Sequence, residues 1–460
     1  MSPVRFATAA LLLAACPALP PGADGGSGGG LVMIGGGSGG GLAQPGDAGA
    51  GDDGGADAGA DAGTIGKGPF DAGTNAPAGP SPGEVTYWQL ELPPGVLPFP
   101  RSGEAAALVG PDGTLVLIDV GNSNHDDEVR AAVRELNTQW LTPARGYARP
   151  RAPLEVDWVI LTHFHADHIG AFAPLTSGAE PLSITKGVIH RGFVDVGPAT
   201  NASDFQDVCT ALRGPLAAKN VGLCTASPES ACSISVRAPA SGCPGLLLGD
   251  LSRADDDAAL EPTFLALGGG ARLELLGAGA FARQGRAVVA GPSFGVTDTN
   301  EENGRSVVGL VSHGAFRLLF AGDLSGSGAA GEPDVESFIV ASHATHFGGV
   351  GVDVAHANHH ARKTSSNTAW VTAAAPSDGR ARNVIAGINT AYVNSPHQET
   401  LDAWLMGDRL GGGRFVVTRR APAAGTSPLL IDADGRVTLQ TVERGDGYWL
   451  GARAFASVRR

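Results

Sequence analysis

The sequence has no excess of basic residues. Its 460 residues include 32 lysines and arginines against 46 aspartates and glutamates, which gives a formal net charge of −14. A protein that binds nucleic acid through its phosphates normally presents a positive surface. Only short basic groups are present, such as Arg362 and Lys363 or Arg380 and Arg382. The composition therefore leaves nucleic acid open as a substrate but does not indicate a dedicated nucleic-acid-binding protein.

Long hydrophobic runs are also missing. No stretch beyond the N-terminus reaches the roughly 18 apolar residues of a membrane-spanning helix without a charge, Gly or Pro. The start, MSPVRFATAALLLAAC, has one Arg and a short apolar core, and it ends in Leu-Ala-Ala-Cys16. This pattern predicts a bacterial export signal over residues 1–16 with a lipobox, in which Cys16 becomes the acylated first residue of a lipoprotein at the periplasm or cell surface. Ordinary signal cleavage, giving a secreted protein, is the alternative.

Residues 17–84 offer almost nothing to bury. They are mainly Gly, Ala, Asp and Pro, with DAGADAG repeats. A segment of this composition cannot form a packed core and is expected to act as a flexible linker. The folded domain is therefore expected over residues 85–460.

Cysteines are few, and no C-x-x-C spacing indicates a zinc knot. The chain has five cysteines. The four beyond Cys16 lie in one segment, about 200–262, at Cys209, Cys224, Cys232 and Cys243. An even, clustered set in an exported protein predicts two disulfides, with three pairings open.

The most informative motif is VDWVILTHFHADHIG, at residues 156–170. Val156 to Leu161 is an aliphatic, β-branched run that is typical of a buried strand. His163, His165, Asp167 and His168 follow it within six residues, where a turn can aim side chains at two adjacent points. The spacing predicts a site for two neighbouring cations.

H-x-H-x-D-H after such a strand resembles the signature of the metallo-β-lactamase-fold hydrolases. Two further segments are similar to that family's landmarks: the hairpin EAAALVGPDGTLVLIDVGN, which ends in Asp119, and the hairpin Val307 to Val311 with Phe316 to Phe320, which closes on Asp323. The resemblance implies that Asp119 supports the metal site and that Asp323 bridges two metal ions. No serine nucleophile is needed, because the string Gly322 to Gly326 is better explained as the end of the Asp323 motif.

Two later segments resemble the ComEC-type branch, named for the hydrolase-like domain of bacterial DNA-uptake channels. His359 and His360 are similar to its "HHGS" segment and His397 to its "GHPHPEVL" segment, although Ala361 and Arg362 replace the usual Gly-Ser. The resemblance extends from about 85 to 442 and includes an expected C-terminal β hairpin at about 414–442. The segment at about 200–262 is an insertion. The chain lacks the channel, so transport is not implied.

The expected ligands divide into two sets that share Asp323. His163 and His165 hold one metal ion, with His190 as the candidate third ligand or else an ordinary histidine. Asp167 and His168 hold the other, with His359, or His360 in its place. His397 is expected to contact substrate or to support the site. The remaining histidines are expected to have no role in the site: His125, His313, His343, His346 and His356.

The resemblance implies a four-layer αβ/βα sandwich of the α/β (α+β) class, with two mixed sheets inside and helices outside. Two divalent metal ions, zinc by default although manganese and iron suit the same ligands, would hold a shared hydroxide as the nucleophile. Asp167 and Asp323 are the expected catalytic carboxylates. The expected function is an exported metal-dependent hydrolase of phosphodiesters. A hydrolase of another ester or amide, such as a lactone or β-lactam, and a non-catalytic surface binding module are the alternatives. The sequence does not indicate an oligomeric state.

Overall fold

The structure is a computed structural model that describes residues 76–94, 102–193, 202–224, 232, 242–253, 261–292, 299–328, 332–389, 391–392 and 394–459. All of these lie in the compact unit Lys67–Arg460. The predicted signal peptide with Cys16, and most of the predicted linker, lie outside the described residues. Within the described ranges no helix is both long enough and apolar enough to cross a membrane.

The described residues form twenty strands, numbered here in chain order. They are β1 Thr86–Gln89, β2 Ala106–Val109, β3 Leu115–Ile118, β4 Glu155–Leu161, β5 Ser183–His190, β6 Asn220–Gly222, β7 Leu248–Asp250, β8 Glu261–Gly268, β9 Ala271–Ala278, β10 Phe281–Gln284, β11 Ala287–Ala290, β12 Val308–His313, β13 Phe316–Phe320, β14 Val354–His356, β15 Asn383–Ala386, β16 Phe415–Val417, β17 Leu430–Asp432, β18 Val437–Thr441, β19 Gly447–Leu450 and β20 Arg453–Ala456.

The helices connect these strands across the outer faces of the sheets. Their bounds are Asp126–Glu135, Ala166–Ile169, Phe172–Ser177, Ala202–Arg213, Val335–Ser342, Ala344–Phe347, Asn358–Ala361, Thr368–Ala374 and Gln398–Leu405.

The strands form two mixed sheets. The first has the order β20-β19-β18-β1-β2-β3-β4-β5-β6, and the second has the order β11-β10-β9-β12-β13-β14-β15-β16-β17, with β8 also on β9 and β7 on β8. Apolar side chains from both sheets, such as Leu108 and Leu318, pack into one core. Two further cores join the outer faces to helices, through Val133 and Phe205 on the first sheet and Trp370 on the second. The predicted αβ/βα sandwich is confirmed.

The predicted ligands follow strands whose ends meet at one edge of the sandwich. Asp119 follows β3, which is parallel to β4, and His163 follows β4. Asp323 follows β13, which is parallel to β14 in the other sheet. The two sheets are tied together there, since the Val307 amide donates to the Thr162 carbonyl at 2.9 Å. Carboxyl ends of parallel strands lie at the same edge of a sheet, so the topology brings distant parts of the chain together.

Gly322 permits this approach. Its φ of +52° lies in the left-handed region, and a Cβ there would lie 2.5 Å from the Thr162 hydroxyl oxygen. A larger residue would push the Asp323 loop away from the strand that carries the first histidines.

The C-terminal segment differs from the expected hairpin at about 414–442. β16 is parallel to β17 in the second sheet, whereas β18 pairs antiparallel with β1 in the first. The hairpins of this region are β18-β19 and β19-β20 instead. Similar apolar runs on both sides of a Gly-containing turn do not show which sheet each run joins, because that depends on long-range pairing.

The inserted segment at about 200–262 contains regular structure and both disulfides. Its described part includes the helix Ala202–Arg213 and strands β6 and β7. Cys209 is bonded to Cys232, and Cys224 is bonded to Cys243. The prediction of two disulfides is confirmed, and the structure selects one of the three pairings.

Candidate metal centre

A buried ion pair holds the turn that carries the first two histidines. Glu302 accepts a hydrogen bond from the Phe164 amide at 2.9 Å. The same carboxylate receives two hydrogen bonds from Arg191, at 2.7 and 2.6 Å, and the guanidinium lies 4.7 Å from the Phe164 ring centroid. Arg191 is fully buried. Because Phe164 stands between His163 and His165, this pair fixes the direction in which both imidazoles point.

The first cluster consists of His163, His165 and Asp323. The Nε2 atom of His163 lies 3.0 Å from Nδ1 of His165 and 3.8 Å from Oδ2 of Asp323. The Thr162 hydroxyl donates its one hydrogen to Asp119, so it can only accept from Nδ1 of His163, at 3.1 Å. This leaves the Nε2 lone pair of His163 directed into the cluster.

The second cluster consists of Glu104, His168, Asp323 and His360. The Nε2 atoms of the two histidines face each other at 3.2 Å. Asp323 lies beside both, with Oδ1 3.2 Å from His168 and Oδ2 3.4 Å from His360. Asp167 adjoins the cluster, with Oδ2 3.5 Å from Nε2 of His360.

A separate carboxylate orients each histidine of the second cluster. Nδ1 of His168 donates to Oδ2 of Asp119 at 2.8 Å. Nδ1 of His360 lies 2.9 Å from Oε2 of Glu104 and 3.2 Å from the Gly387 carbonyl. Both rings therefore direct their Nε2 lone pairs inward, as in the carboxylate–histidine pairs that support bound metals. These contacts place Asp119 behind His168, where it would orient that ring.

The arrangement fits divalent ions. Two inward-facing imidazole lone pairs at 3.2 Å repel each other unless a cation lies between them. In a tetrahedral site with bonds of about 2.0–2.1 Å, neighbouring ligand atoms are about 3.3 Å apart. The four separations of 3.2, 3.2, 3.4 and 3.5 Å among Asp167, His168, Asp323 and His360 match this value. Oδ1 of Asp323 is buried and receives no hydrogen bond from the described residues.

Burial and the neighbouring histidines act in opposite directions on the pKa values of the carboxyl groups at the centre. Burial opposes a charge on Asp323, but His168, His360 and His359 outweigh it and hold the pKa of Asp323 well below its usual range. Burial likewise opposes a charge on Glu104, but His356 and His360 lower its pKa to about 2. The centre therefore keeps anionic carboxylates at low solvent exposure, where they bind cations strongly.

The paired histidines lie in an unusual backbone turn. His359, His360 and Ala361 have φ values of +52°, +51° and +58°. Left-handed conformations in residues other than Gly cost about 1–3 kcal/mol each and persist only where surrounding contacts impose them. Here Glu336 accepts from the Asn358 side chain at 2.7 Å and, on either side of its carboxylate, from two backbone amides of the following loop at 2.8 Å each.

This turn directs both paired histidines toward Asp323, but to different sides. His360 joins the second cluster, whereas Nε2 of His359 lies 3.8 Å from Oδ2 of Asp323 and 3.4 Å from the Asn303 side-chain nitrogen. Nδ1 of His359 is hydrogen-bonded to the Thr364 hydroxyl at 2.6 Å. The structure thus places the alternative candidate, His360, in the second cluster of residues that could hold a metal ion, and it places His359 beside Asp323 outside that cluster.

His190 lies apart from both clusters. Its Nε2 donates to the Asn220 side-chain oxygen at 2.7 Å, and its Nδ1 accepts from the Gly192 amide at 3.1 Å. Its ring stacks on Phe193 with centroids 4.4 Å apart. Burial lowers its pKa to about 4. Both ring nitrogens have partners, Asn220 in the inserted segment and the nearby Gly192 amide, so His190 has no free lone pair for a metal in this conformation.

His397 is near the centre but is not one of its ligands in the described structure. It precedes the helix Gln398–Leu405, and its amide donates to the Ala361 carbonyl at 2.9 Å. His356, expected to have no role, contacts the other oxygen of Glu104 through Nε2. His125, His313, His343 and His346 make hydrogen bonds elsewhere: to Pro93, to Thr441, to Leu276 and to Glu274.

Three residues of the centre carry no sequence signal. Glu104 precedes an ordinary apolar strand, and Tyr392 and Ser102 stand in irregular segments. The Tyr392 hydroxyl lies 3.0 Å from Oδ2 of Asp167 and 2.9 Å from Nε2 of His360, and the Ser102 hydroxyl lies 3.3 Å from Oδ2 of Asp167. Their partners are distant in the chain, so only the fold shows the contacts.

Comparison with protein-family models identifies one family. The family model described as "Metallo-beta-lactamase superfamily" matches residues 100–406. A search of curated proteins gives no match.

The solved structures that are similar to this chain are distant from it in sequence. The metallo-beta-lactamase fold protein YhfI from Bacillus subtilis is 11% identical, with 73% of this chain and 95% of that chain covered and a TM-score of 0.32. Zinc-bound PqqB from Methylobacterium extorquens is 12% identical, with coverages of 59% and 71% and a TM-score of 0.24.

The family match covers more than half of the chain, the two-sheet sandwich has the family's architecture, and the buried His/Asp/Glu centre is that of a metal-dependent hydrolase. This chain belongs to the metallo-beta-lactamase superfamily.

Proposed function

We propose that this protein hydrolyses phosphodiesters with two divalent metal ions, zinc by default, bound side by side. The observation that carries the proposal is the shared position of Asp323, whose two oxygens lie 3.2–3.8 Å from histidine nitrogens of both clusters. One carboxylate between two sets of inward-facing imidazoles is the ligand arrangement of a binuclear site.

Each group at the centre has a defined part in this proposal. Two bound divalent ions would lower the pKa of a water molecule towards neutrality and polarise the ester. His163 and His165 would hold one ion, and His168, His360 and Asp167 the other. The Asp167 side chain is 22% exposed, whereas that of Asp323 is 2% exposed. We therefore assign Asp167 to the side from which substrate and water approach, where it would accept a hydrogen bond from the attacking water.

Two cations beside the paired histidines favour an anionic substrate. Arg362 and Lys363 are exposed and follow His360 directly after Ala361. Within the described ranges, neither side chain lies within ion-pair distance of a carboxylate. Arg362 is close enough to His359 and His397 for its charge to lower the pKa of both, in addition to the larger effect of burial. These cations can therefore attract a phosphate to the open side of the centre.

The other basic pair noted in the sequence has a structural role instead. Arg382 is buried and makes two hydrogen bonds to Asp378, at 2.6 and 2.8 Å. Arg380 lies 3.7 Å from the same carboxylate. In a chain with a net charge of −14, unpaired cations next to the metal ligands are thus a local exception.

The similarity of the His359 and His397 segments to the ComEC-type branch supports the same substrate class, since the hydrolase-like domain of that branch belongs to DNA-uptake proteins. We assign the chain to this branch on those segments. Ala361 occupies a left-handed position where the branch has Gly, so the turn keeps the Gly-type backbone without the Gly.

We also propose that the protein is exported and tethered to a membrane through an acylated Cys16, with residues 17–84 as the linker. The support is the sequence pattern alone. Membrane fractionation of the full chain and of the Cys16→Ser variant tests it. Tethering predicts that the variant moves to the soluble fraction, and equal partitioning would contradict it.

Hydrolysis of a bis-aryl phosphodiester by the zinc-loaded protein tests the proposed reaction, with a β-lactam, a lactone and an uncharged carboxylic ester in parallel. We expect turnover of the phosphodiester that is lost in His165→Ala. Turnover of only the lactone or β-lactam would identify another hydrolase. A metal-loaded protein that is inert on every substrate would favour a binding module.

Substitution of Arg362 gives a more specific version of the hydrolysis experiment. Arg362→Ala is expected to raise KM for the phosphodiester several-fold. Arg286→Ala removes the same charge from an exposed turn between β10 and β11 and serves as the matched control. If Arg362→Ala and Arg286→Ala have the same KM as the unchanged protein, the basic pair does not recognise the substrate.

A further inference from the structure

The hydroxyl group of Tyr392 lies among the atoms that would hold the second metal ion. It is 2.9 Å from Nε2 of His360 and 3.0 Å from Oδ2 of Asp167. The side chain is buried, with 8% of the residue exposed. Neither the family signature nor the ligand set derived above includes this residue.

The tyrosine is held in place independently of its hydroxyl group. Its ring stacks on the His360 imidazole with centroids 4.1 Å apart and an angle of 24° between the planes. The Ser395 amide donates to the Tyr392 carbonyl at 3.2 Å. A stacked, buried ring limits the positions of the phenolic oxygen, which therefore stays next to the cluster.

One hydroxyl hydrogen cannot satisfy both neighbours. The Nδ1 atom of His360 faces Glu104 and the Gly387 carbonyl, so its Nε2 lone pair points in the ring plane into the cluster, and the oxygen of the stacked phenol lies 2.9 Å from the same nitrogen. Oδ2 of Asp167 is an acceptor as well, and it already receives the Ser102 hydroxyl at 3.3 Å. If the phenol donates to one of the two acceptors, its oxygen lone pair faces the other. A cation among the three atoms removes this conflict.

The separations also match coordination. Ligand atoms at right angles around a metal with bonds of about 2.0–2.1 Å are about 2.9 Å apart. The distances from the phenolic oxygen to His360 and Asp167 are 2.9 and 3.0 Å, whereas the distance between those two atoms is 3.5 Å. The short pair fits a fifth ligand at right angles to Asp167 and His360.

We propose that the phenolic oxygen of Tyr392 is a ligand of the second metal ion, in addition to Asp167, His168, Asp323 and His360. This inference rests on the binuclear centre of the proposed function. Coordination displaces the phenolic proton to the buffer. The consequence is a second ion with an oxygen-rich ligand set, which is the kind of site that harder cations such as iron and manganese also accept.

The full-length protein loaded with ferric iron tests the inference directly, because a phenolate bound to iron(III) gives a charge-transfer band in visible light. We expect a coloured protein whose band is absent in Tyr392→Phe, a variant that keeps the ring stacked on His360 and removes only the oxygen. Tyr147→Phe, which removes a hydroxyl outside the centre, should keep the band.

Zinc affinity gives a second readout that does not depend on colour or on activity. In competition with a chromophoric chelator, Tyr392→Phe is expected to bind one of its two zinc ions at least about tenfold more weakly, since losing a ligand costs no less than losing a residue that only orients one. Ser102→Ala removes the other donor to Asp167 and is expected to change either affinity by less than about threefold.

Three results would overturn the inference. Iron-loaded protein without a visible band, or unchanged zinc affinities in Tyr392→Phe, would show that the oxygen is not a ligand. Equal losses in Tyr392→Phe and Ser102→Ala would show that the tyrosine acts only by positioning Asp167. In these cases the protein still binds two zinc ions, and the proposed function stands. A protein that binds no metal contradicts both proposals.

Discussion

The two clusters of the metal centre share Asp323 but are supported in different ways. In the second cluster each histidine has its own carboxylate: His168 donates to Asp119, and Nδ1 of His360 lies 2.9 Å from Glu104. In the first cluster, His163 donates to a hydroxyl group, and the turn is held through its backbone by Glu302. A carboxylate partner raises the basicity of a metal-binding imidazole more than a hydroxyl does. The comparison predicts that the second ion is bound more tightly than the first.

The pKa directions show the same difference. Burial lowers the pKa of His163 well below its usual range, with the neighbouring His168 acting in the same direction and Asp323 only partly opposing it. Burial also acts against a charge on His168, but Asp323 and Asp119 outweigh it and raise its pKa well above the usual range. Two histidines five residues apart on one turn are therefore placed in environments of opposite electrostatic effect.

The largest expected effect separates a cluster histidine from one outside. His360→Ala should lose one of two zinc equivalents and nearly all hydrolysis. The substitution removes a ligand and leaves Glu104 without one of its histidine partners. His190→Ala should keep both equivalents and lose only stability, since it breaks hydrogen bonds to Asn220 and Gly192. Elemental analysis of the two purified variants measures this. A lost equivalent in His190→Ala would return that residue to the ligand set.

The backbone support of the first cluster is tested by Arg191→Met. Leaving Glu302 buried without its cation is expected to lower the free energy of unfolding by about 3–5 kcal/mol. It should also weaken the first zinc ion rather than the second, because Glu302 holds the amide between His163 and His165. Denaturant unfolding and stepwise zinc titration measure the two effects. Equal weakening of both ions would contradict the separate support of the clusters.

The carboxylate support of the second cluster is tested by Glu104→Gln. The affinity for the more tightly bound zinc ion should fall about 10–100-fold, because a neutral amide no longer raises the basicity of His360. Glu84→Gln changes a carboxylate that pairs with Gln440 in the same sheet and is the matched control. Chelator competition gives both affinities. An unchanged tight site in Glu104→Gln would remove the distinction between the clusters.

The smallest effect lies away from the centre and concerns pH. Burial raises the pKa of Asp353 to about 7 from its ordinary 3.8, although the Val458 and Arg317 amides donate to it. The folded state therefore favours the protonated acid, so its stabilising contribution is complete below pH 3.8 and is lost as pH rises towards 7.

Asp353→Asn removes this titration. Between pH 5 and pH 7, the free energy of unfolding of the unchanged protein should fall relative to that of the variant, by about 1–3 kcal/mol. Denaturant unfolding of both proteins at the two pH values measures the difference. A constant difference would show that Asp353 stays charged in the fold.

Much of the fold could be predicted because its signals are local. The apolar run of β4 and the turn after it place His163 to His168 at a strand end, and short hairpins place Asp119 and Asp323 similarly. Residues that follow neighbouring strands lie at the same edge of the sandwich. Their spacing in the sequence was therefore enough to predict that these side chains come together.

The rest depends on contacts between distant segments. Glu104 meets His360 across 256 positions of the chain, and neither neighbourhood has a pattern that indicates the contact. The choice between His359 and His360 depends on three consecutive left-handed residues, which no L-residue sequence signals. His190 follows the strand pattern of a ligand, but the inserted strand β6 supplies Asn220 as its partner.

The binuclear centre is tested by the metal content of the purified protein, measured by mass spectrometry beside the Asp323→Asn variant. Two ions that share this carboxylate should give close to two equivalents in the unchanged protein and fewer than one in the variant. A single equivalent in the metal-replete protein, or two equivalents in Asp323→Asn, would contradict the binuclear centre.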